Sequence, residues 1–220
     1  MVSPDDAGQY GAVLFKLTGS SCSGKTTAAR SCSAIDRLVV HDFDEIGVPE
    51  AADAAWRHRS LDAWLQRALQ YQAQGLDLLL TGQSPLGEIL ASPCAPQLDA
   101  IAVCLLDVDD GERARRLEQR DPGVWNAART QSFIGWGQWH REHAADPGSR
   151  PEAVTVGGWD QMQWDRWRDW TRHDPRWHTT VIDTSHRTID QTASDVRAWI
   201  AAARADLAEA HLSLAAGWHT

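Results

Sequence analysis

Apolar residues along this chain fall into short unbroken runs, separated by stretches in which they recur every three or four positions. The first run, Ala12-Val-Leu-Phe-Lys-Leu-Thr18, has strand length and passes directly into a glycine-containing loop and then Lys25-Thr-Thr-Ala-Ala-Arg30. That pattern predicts strand, loop and helix. Leu38-Val-Val-His41 reads as a second buried strand, ended by Asp42-Phe-Asp44-Glu45 and then by Gly47 and Pro49. Between Asp53 and Gln74, residues Trp56, Leu61, Trp64, Leu65, Ala68 and Leu69 share one helical face, and Gly75 supplies the stop. Leu76–Thr81, Ile101–Leu106 and Thr179–Ile182 complete a set of five expected strands. Strands alternating with helices predict an α/β fold whose parallel sheet is covered on both faces.

Between the fourth and fifth strands the pattern changes. Asp110 is placed to cap a strongly charged helix running to about Arg120. Residues 125 to 177 then hold Trp125, Trp136, Trp139, Trp159, Trp164, Trp167, Trp170 and Trp177, most of the twelve tryptophans in the chain. The spacing of three among Trp164, Trp167 and Trp170 predicts one side of a helix, facing the core. That density exceeds what a short helical lid needs, so one or two indoles are candidates to stack on an aromatic or sugar-like acceptor. After the fifth strand, Thr188 and Gln191 have capping-box spacing ahead of a helix carrying Val196, Trp199 and Ile200, and residues 201 to 210 read as an exposed alanine-rich helix.

The loop after the first strand carries the chemistry. Gly19-Ser-Ser-Cys-Ser-Gly24-Lys25-Thr26 satisfies G-x-x-x-x-G-K-[ST] at every required position, between an expected strand and an expected helix. In such a loop the backbone N–H groups of Gly19, Ser20, Ser21, Cys22, Ser23, Gly24, Lys25, Thr26 and Thr27 surround the phosphates of ATP. Lys25 adds a point charge at the terminal phosphates, and Thr26 offers a hydroxyl to magnesium.

Asp42 and Asp44 stand two residues apart at the end of the second strand, and in an extended backbone they point the same way. They read either as caps of a turn or, beside a phosphate-binding loop, as a functional pair. In that pair Asp44 serves as the base at the acceptor and Asp42 holds magnesium through water. Glu45 is expected on the opposite side. On the charged helix Arg116 and Arg120 are one turn apart; they are candidates to reach phosphates together, as is Arg129 further on, and their alternative is a solvated face paired with Glu112 and Glu118. Gln83, in Thr81-Gly82-Gln83-Ser84-Pro85 at the end of the third strand, is a candidate acceptor contact, the alternative being an ordinary strand-to-helix turn. His140 and His143 lack further ligands at convincing spacing and are expected to make hydrogen bonds on a helix surface or loop.

Composition narrows the function. A chain of 220 residues with 43% hydrophobic content suits one domain, expected over residues 1–220 with an insertion at about 121–177. The formal charge of -9 argues against the basic surface that binds nucleic acid, so none is expected as a partner. No apolar stretch is long enough to span a membrane, and Met1-Val-Ser-Pro-Asp-Asp has no signal-peptide character. Cys22, Cys32, Cys94 and Cys104 lack metal-site spacing and are expected as free thiols in a cytoplasmic protein.

With the phosphate-binding loop, the Asp-x-Asp and the arginine-bearing helix in that order, the chain resembles the small P-loop kinases: the shikimate, gluconate, adenylylsulfate, chloramphenicol and nucleoside monophosphate kinases. The resemblance covers about 11 to 120 and 178 to 202. It implies a P-loop NTPase three-layer sandwich with a five-stranded parallel sheet in the order 2-3-1-4-5 and a lid between the fourth and fifth strands. It also implies that Arg116 and Arg120 match lid-edge arginines, and that the pair Asp42 and Asp44 matches the family's two carboxylates, one on the magnesium side and one on the acceptor side. The overall pattern also looks like bacterial proteins labelled only as AAA-type ATPases. The expected function is therefore an ATP- and magnesium-dependent phosphotransferase acting on a hydroxyl of a small molecule. The alternatives are a nucleoside or nucleotide kinase and a nucleotide-binding switch without a small-molecule acceptor.

Overall fold

The five apolar runs become five parallel strands in the computed structural model, which describes residues 11–220. β1 (Val13–Thr18), β2 (Leu38–Asp42), β3 (Asp77–Thr81), β4 (Ala100–Asp107) and β5 (Thr180–Asp183) lie in the order β2-β3-β1-β4-β5. The three central strands are buried almost throughout, as a sheet covered on both faces requires. Side chains alternate along β1, so Val13, Phe15 and Leu17 face one layer and Leu14 the other.

On the first face α1 (Lys25–Arg30) and α7 (Ile189–Ala208) cover the sheet, with Trp199 set edge-on to Phe15 at 5.3 Å between ring centres. On the second lie α2 (Ala54–Gln72) and α3 (Leu86–Ala91), which bury Leu61, Trp64, Leu65, Ile89 and Leu90. Asp53 caps α2 by accepting from the Trp56 N–H, and Thr188 and Gln191 form the expected capping box on α7. Because β1 is flanked by β3 on one side and β4 on the other, the connections diverge there. The crevice opens where the strands end.

The stretch between β4 and β5 contains α4 (Asp110–Arg120), α5 (Ala127–Ala145) and α6 (Glu152–Thr155). Asp109, not Asp110, caps α4 by accepting from the Glu112 N–H; Asp110 is the first helical residue and binds Arg141 and Gln138. The three tryptophans at 164, 167 and 170 do not share a helix, since only Trp164–Arg166 makes a single 3-10 turn. Their contribution to the core is nevertheless real: Trp167 is buried against α3, and Trp164 and Trp170 pack around it. The indole N–H groups of Trp139, Trp167 and Trp177 donate to the carbonyls of Arg150, Gly87 and His143 at 3.0, 2.9 and 3.0 Å. Trp167 can come this close because Gly87 has no side chain; a Cβ there would stand 2.9 Å from its ring.

His140 and His143 do not sit on a surface. Both are buried among indoles, with His143 stacked on Trp139 at 4.6 Å and edge-on to Trp177 at 5.1 Å. Burial lowers their pKa values to about 3 and about 4, so both are neutral at physiological pH. At the other end of the chain, α7 keeps Ala203 in the core while most of its neighbours from 201 to 210 are exposed. The chain then turns back to bury Leu214 and Trp218, and Ala215 bridges Ala100 on β4. Among the described residues no helix is long and apolar enough to cross a membrane.

Candidate active site

A cleft of about 1000 Å³ opens at the C-terminal ends of the strands. Its floor is the loop between β1 and α1. Cys22 and Gly24 take left-handed conformations, at φ +62° and +96°, which curl the backbone into a concave nest ahead of the α1 N-terminus. Gly19 lies beneath, where any Cβ would collide with the Leu106 carbonyl of β4. Of the expected phosphate-binding residues, Ser21 to Thr27 line the cleft, whereas Gly19 and Ser20 do not. The Ser20 hydroxyl instead donates to the Phe133 carbonyl at 2.9 Å and ties the loop to α5.

Lys25 Nζ donates to the Gly19 and Ser20 carbonyls at 2.7 and 3.0 Å. Burial, with Arg113 close by, lowers its pKa to about 8. An ammonium resting on its own loop carbonyls is a donor that phosphate oxygens can claim. The curled N–H groups, the helix N-terminus and this cation together fit a polyphosphate.

The carboxylates stand at the end of β2. Asp42 is the last strand residue and Asp44 lies in a 3-10 turn, Phe43–Ile46, so the extended geometry expected for the pair is absent. Asp42 Oδ1 caps this turn by accepting from the Asp44 N–H at 3.1 Å. Its Oδ2 accepts from the hydroxyls of Thr26 and Thr81, both at 2.8 Å. Burial raises the Asp42 pKa, but the hydroxyls of Thr81 and Thr26 outweigh it and leave the carboxyl below its ordinary value. Asp44 moves the other way, raised by burial and by the Asp42 charge. Two adjacent carboxylates thus differ, one stabilised as an anion and one readier to take a proton. A hydroxyl and a carboxylate oxygen in contact form a hard donor pair that fits magnesium at Thr26 and Asp42. Glu45 serves the turn, accepting from the Asp42 N–H and pairing with His41.

Arginines form the opposite wall. Arg116 and Arg120 both line the cleft. Arg116 donates to the Thr184 carbonyl at 2.7 Å and pairs with Glu112, while Arg120 pairs with Asp121 and lies over Trp125. Arg129 is exposed on α5 and is not among the cleft residues. Arg113 on α4 is fully buried and donates to the Ser21 carbonyl at 2.7 Å, thereby bracing the loop from behind. Its i−3 and i+3 neighbours, Asp110 and Arg116, are both charged, so local spacing gives no sign that Arg113 points inward.

The cleft is further lined by Phe43, Asp44, Val48, Trp56, Arg57, Gly82, Gln83, Ser84 and Trp136. Gln83, expected as an acceptor contact, lines this cleft. The two indoles in the cleft, Trp56 and Trp136, come from α2 and α5 and were not distinguishable from the core tryptophans by spacing. Lys16, the lone charge inside the apolar run of β1, is fully buried and lies against Gly82. Burial and the nearby Lys25 lower its pKa to about 7. Arg57 pairs with the fully buried Glu88 through Nε and Nη2, at 2.9 and 2.5 Å to Oε1.

No family model and no curated protein matches the chain. Solved structures do. A sugar kinase from Janibacter sp. is 16% identical, with a TM-score of 0.52 over 89% of this chain and 97% of that one. A gluconokinase from Sinorhizobium meliloti is 13% identical, with a TM-score of 0.52 over 90% and 97%. A thymidylate kinase from Candida albicans is 14% identical, with a TM-score of 0.50 over 88% and 92%. The chain has the fold of the P-loop kinases.

Proposed function

We propose that the protein transfers the terminal phosphoryl group of ATP, with magnesium, to a hydroxyl of a small-molecule acceptor. The observation that carries this reading is the single cleft in which the phosphate-binding loop, the Thr26–Asp42 pair, Asp44 and the Gly82–Ser84 turn meet. Ser21 to Thr27 and Lys25 would hold the phosphates, and Thr26 with Asp42 would hold the metal, which supplies charge neutralisation at the phosphate oxygens. Arg116 and Arg120 face the same space from α4 and add positive charge where negative charge spreads during transfer. Thr184, Ser185, Arg187 and Thr192 leave a wall for the nucleoside.

Asp44 is the base in this reading. Among the described residues nothing donates a hydrogen bond to its side chain, and its raised pKa suits it to accept the acceptor proton as the hydroxyl oxygen takes the phosphoryl group. Ser20 fastened to α5 and Arg113 fastened to the loop carbonyl keep the floor in place while this happens. Trp56 and Trp136 in the cleft favour a nucleoside as a second reading of the acceptor, since a base can stack on an indole.

The test is magnesium-dependent ADP release across neutral polyols, sugars, hydroxy acids and nucleosides, with Lys25→Ala as control. Stimulation by one class, with phosphate recovered on that compound, supports the proposal. Slow release indifferent to every acceptor would favour a nucleotide-dependent switch.

A further inference from the structure

A second, much smaller cavity, of about 10 Å³, lies between α5 and the ends of two strands. Thr18, Thr179, His140 and His143 line it beside apolar groups such as Leu105 and Ala144. Thr18 is the last residue of β1, directly before Gly19 of the phosphate-binding loop, and Thr179 directly precedes β5. The two histidines come from α5. All four of these lining residues carry buried polar atoms that find no hydrogen-bond partner among the described residues: Thr18 Oγ1, Thr179 Oγ1, His140 Nε2 and both ring nitrogens of His143. Unpaired buried polar atoms are costly, and native proteins complete them. A cluster of them around one cavity asks for one occupant.

The chemistry of the lining selects that occupant. Burial keeps both imidazoles neutral, so each offers one N–H and one bare nitrogen, while a threonine hydroxyl both donates and accepts. An apolar occupant would leave every one of these atoms unpaired. A metal ion would find two imidazoles with no carboxylate or thiolate beside them, and an anion would find no cation in the lining. A cavity of this size has room for one water, which donates and accepts. We infer that a single ordered water occupies this cavity and bridges α5 to the ends of β1 and β5, as part of what seats α5 beside the phosphate-binding loop. The same helix holds that loop through the Phe133 carbonyl, which accepts from the Ser20 hydroxyl. His143 also begins a stack that continues through Trp139 to Trp136 in the cleft, so the water sits at the buried end of a row of rings whose other end faces the site. The inference does not depend on which reaction the cleft performs.

Water-selective NMR on the isotope-labelled full chain tests this. Cross-peaks from water to the methyl groups of Ala144 and Leu105 are the direct signal, since these groups line the cavity and carry no exchangeable hydrogen. The comparison protein carries Thr18→Val together with Thr179→Val, which keeps both shapes and removes both hydroxyls; melting curves establish that it folds, and Thr179→Val alone is the substitute if it does not. The parent is expected to show the cross-peaks with the sign of a long-lived water, and oxygen-17 relaxation dispersion is expected to count one long-lived water fewer in the variant. Amide hydrogens of α5 from His140 to Ala144 should exchange up to roughly tenfold faster in the variant, as for loss of one hydrogen bond. No cross-peaks in the parent, or cross-peaks at full strength in the folded variant, would overturn the bridging water. Loss of the water with unchanged exchange along α5 would overturn its part in seating that helix.

Discussion

Asp42 and Thr81 are register partners at the C-terminal ends of two neighbouring parallel strands, and the Thr81 hydroxyl donates to Asp42 Oδ2 at 2.8 Å. The same oxygen receives the Thr26 hydroxyl from the first turn of α1. Three elements that are far apart in the chain are thus joined at one carboxylate, and they carry the Gly19–Thr27 loop, Asp44 and the Gly82–Ser84 turn with them. Thr81→Val should remove one of the two donors and let the Asp42 pKa rise. Weaker magnesium activation, seen as a higher metal concentration for half-maximal turnover, is the expected outcome; unchanged metal dependence would make the contact purely structural.

Lys25→Ala removes the cation that rests on the Gly19 and Ser20 carbonyls. Turnover should fall by roughly two to three orders of magnitude, the scale set by losing one group that stabilises charge in the transition state. The melting temperature should change little, because the ammonium's partners are polar atoms of its own loop rather than apolar side chains of the core. Retained turnover would take the loop out of the mechanism.

Asp44→Asn should lower kcat by about 10²- to 10⁴-fold with little effect on nucleotide affinity, as for loss of a general base. The raised pKa of Asp44 gives this a pH signature. A base must be ionised, so kcat/KM should fall as pH drops through the Asp44 pKa, and that acidic limb should lie above the ordinary aspartate value of 3.8. An acidic limb that survives in Asp44→Asn would assign the base elsewhere.

Glu88 contributes stability with a defined pH window. Burial raises its pKa, but the adjacent Arg57 and His58 more than reverse this and bring it from 4.5 down to about 2. A carboxyl lowered on folding stabilises the protein fully above its unfolded pKa and loses that contribution as pH falls through the folded one. Glu88→Ala, which strands Arg57 and His58, should therefore cost roughly 3–5 kcal/mol at neutral pH. Denaturation measured at several pH values should show the deficit shrinking progressively below about pH 4.5. A constant deficit would mean that lost packing, not lost charge, is responsible.

Gly137 on α5 gives Arg113 its room, since a Cβ there would stand 2.7 Å from Arg113 Nη2. Gly137→Ala should push the guanidinium off the Ser21 carbonyl and weaken nucleotide binding about tenfold, at a stability cost of about 1–3 kcal/mol. Calorimetric titration with ATP and magnesium reads the first effect and thermal melting the second. Unaltered affinity in the folded variant would show that the loop does not need this brace.

The strands, their alternation with helices and the phosphate-binding loop were all legible in the sequence, because each follows from local rules. Unbroken apolar runs mark buried parallel strands, glycines mark the turns that need left-handed backbone, and capping residues such as Asp53 and Thr188 mark helix starts. The motif also placed Lys25 and Thr26, and Asp42, Asp44, Gln83, Arg116 and Arg120 are all brought to the cleft. What tertiary structure alone decided is how side chains with the same local pattern divide between core and site. Arg113 and Arg116 stand three apart on one charged helix, yet one is wholly buried behind the loop and the other lines the cleft. Trp136 and Trp139 stack on each other, yet only the first reaches the cleft. His140, His143, Lys16 and Glu88 are buried by segments distant in sequence. Burial, pairing and pKa depend on neighbours that the chain brings together only by folding, so local spacing carries the elements and not the environment of each group.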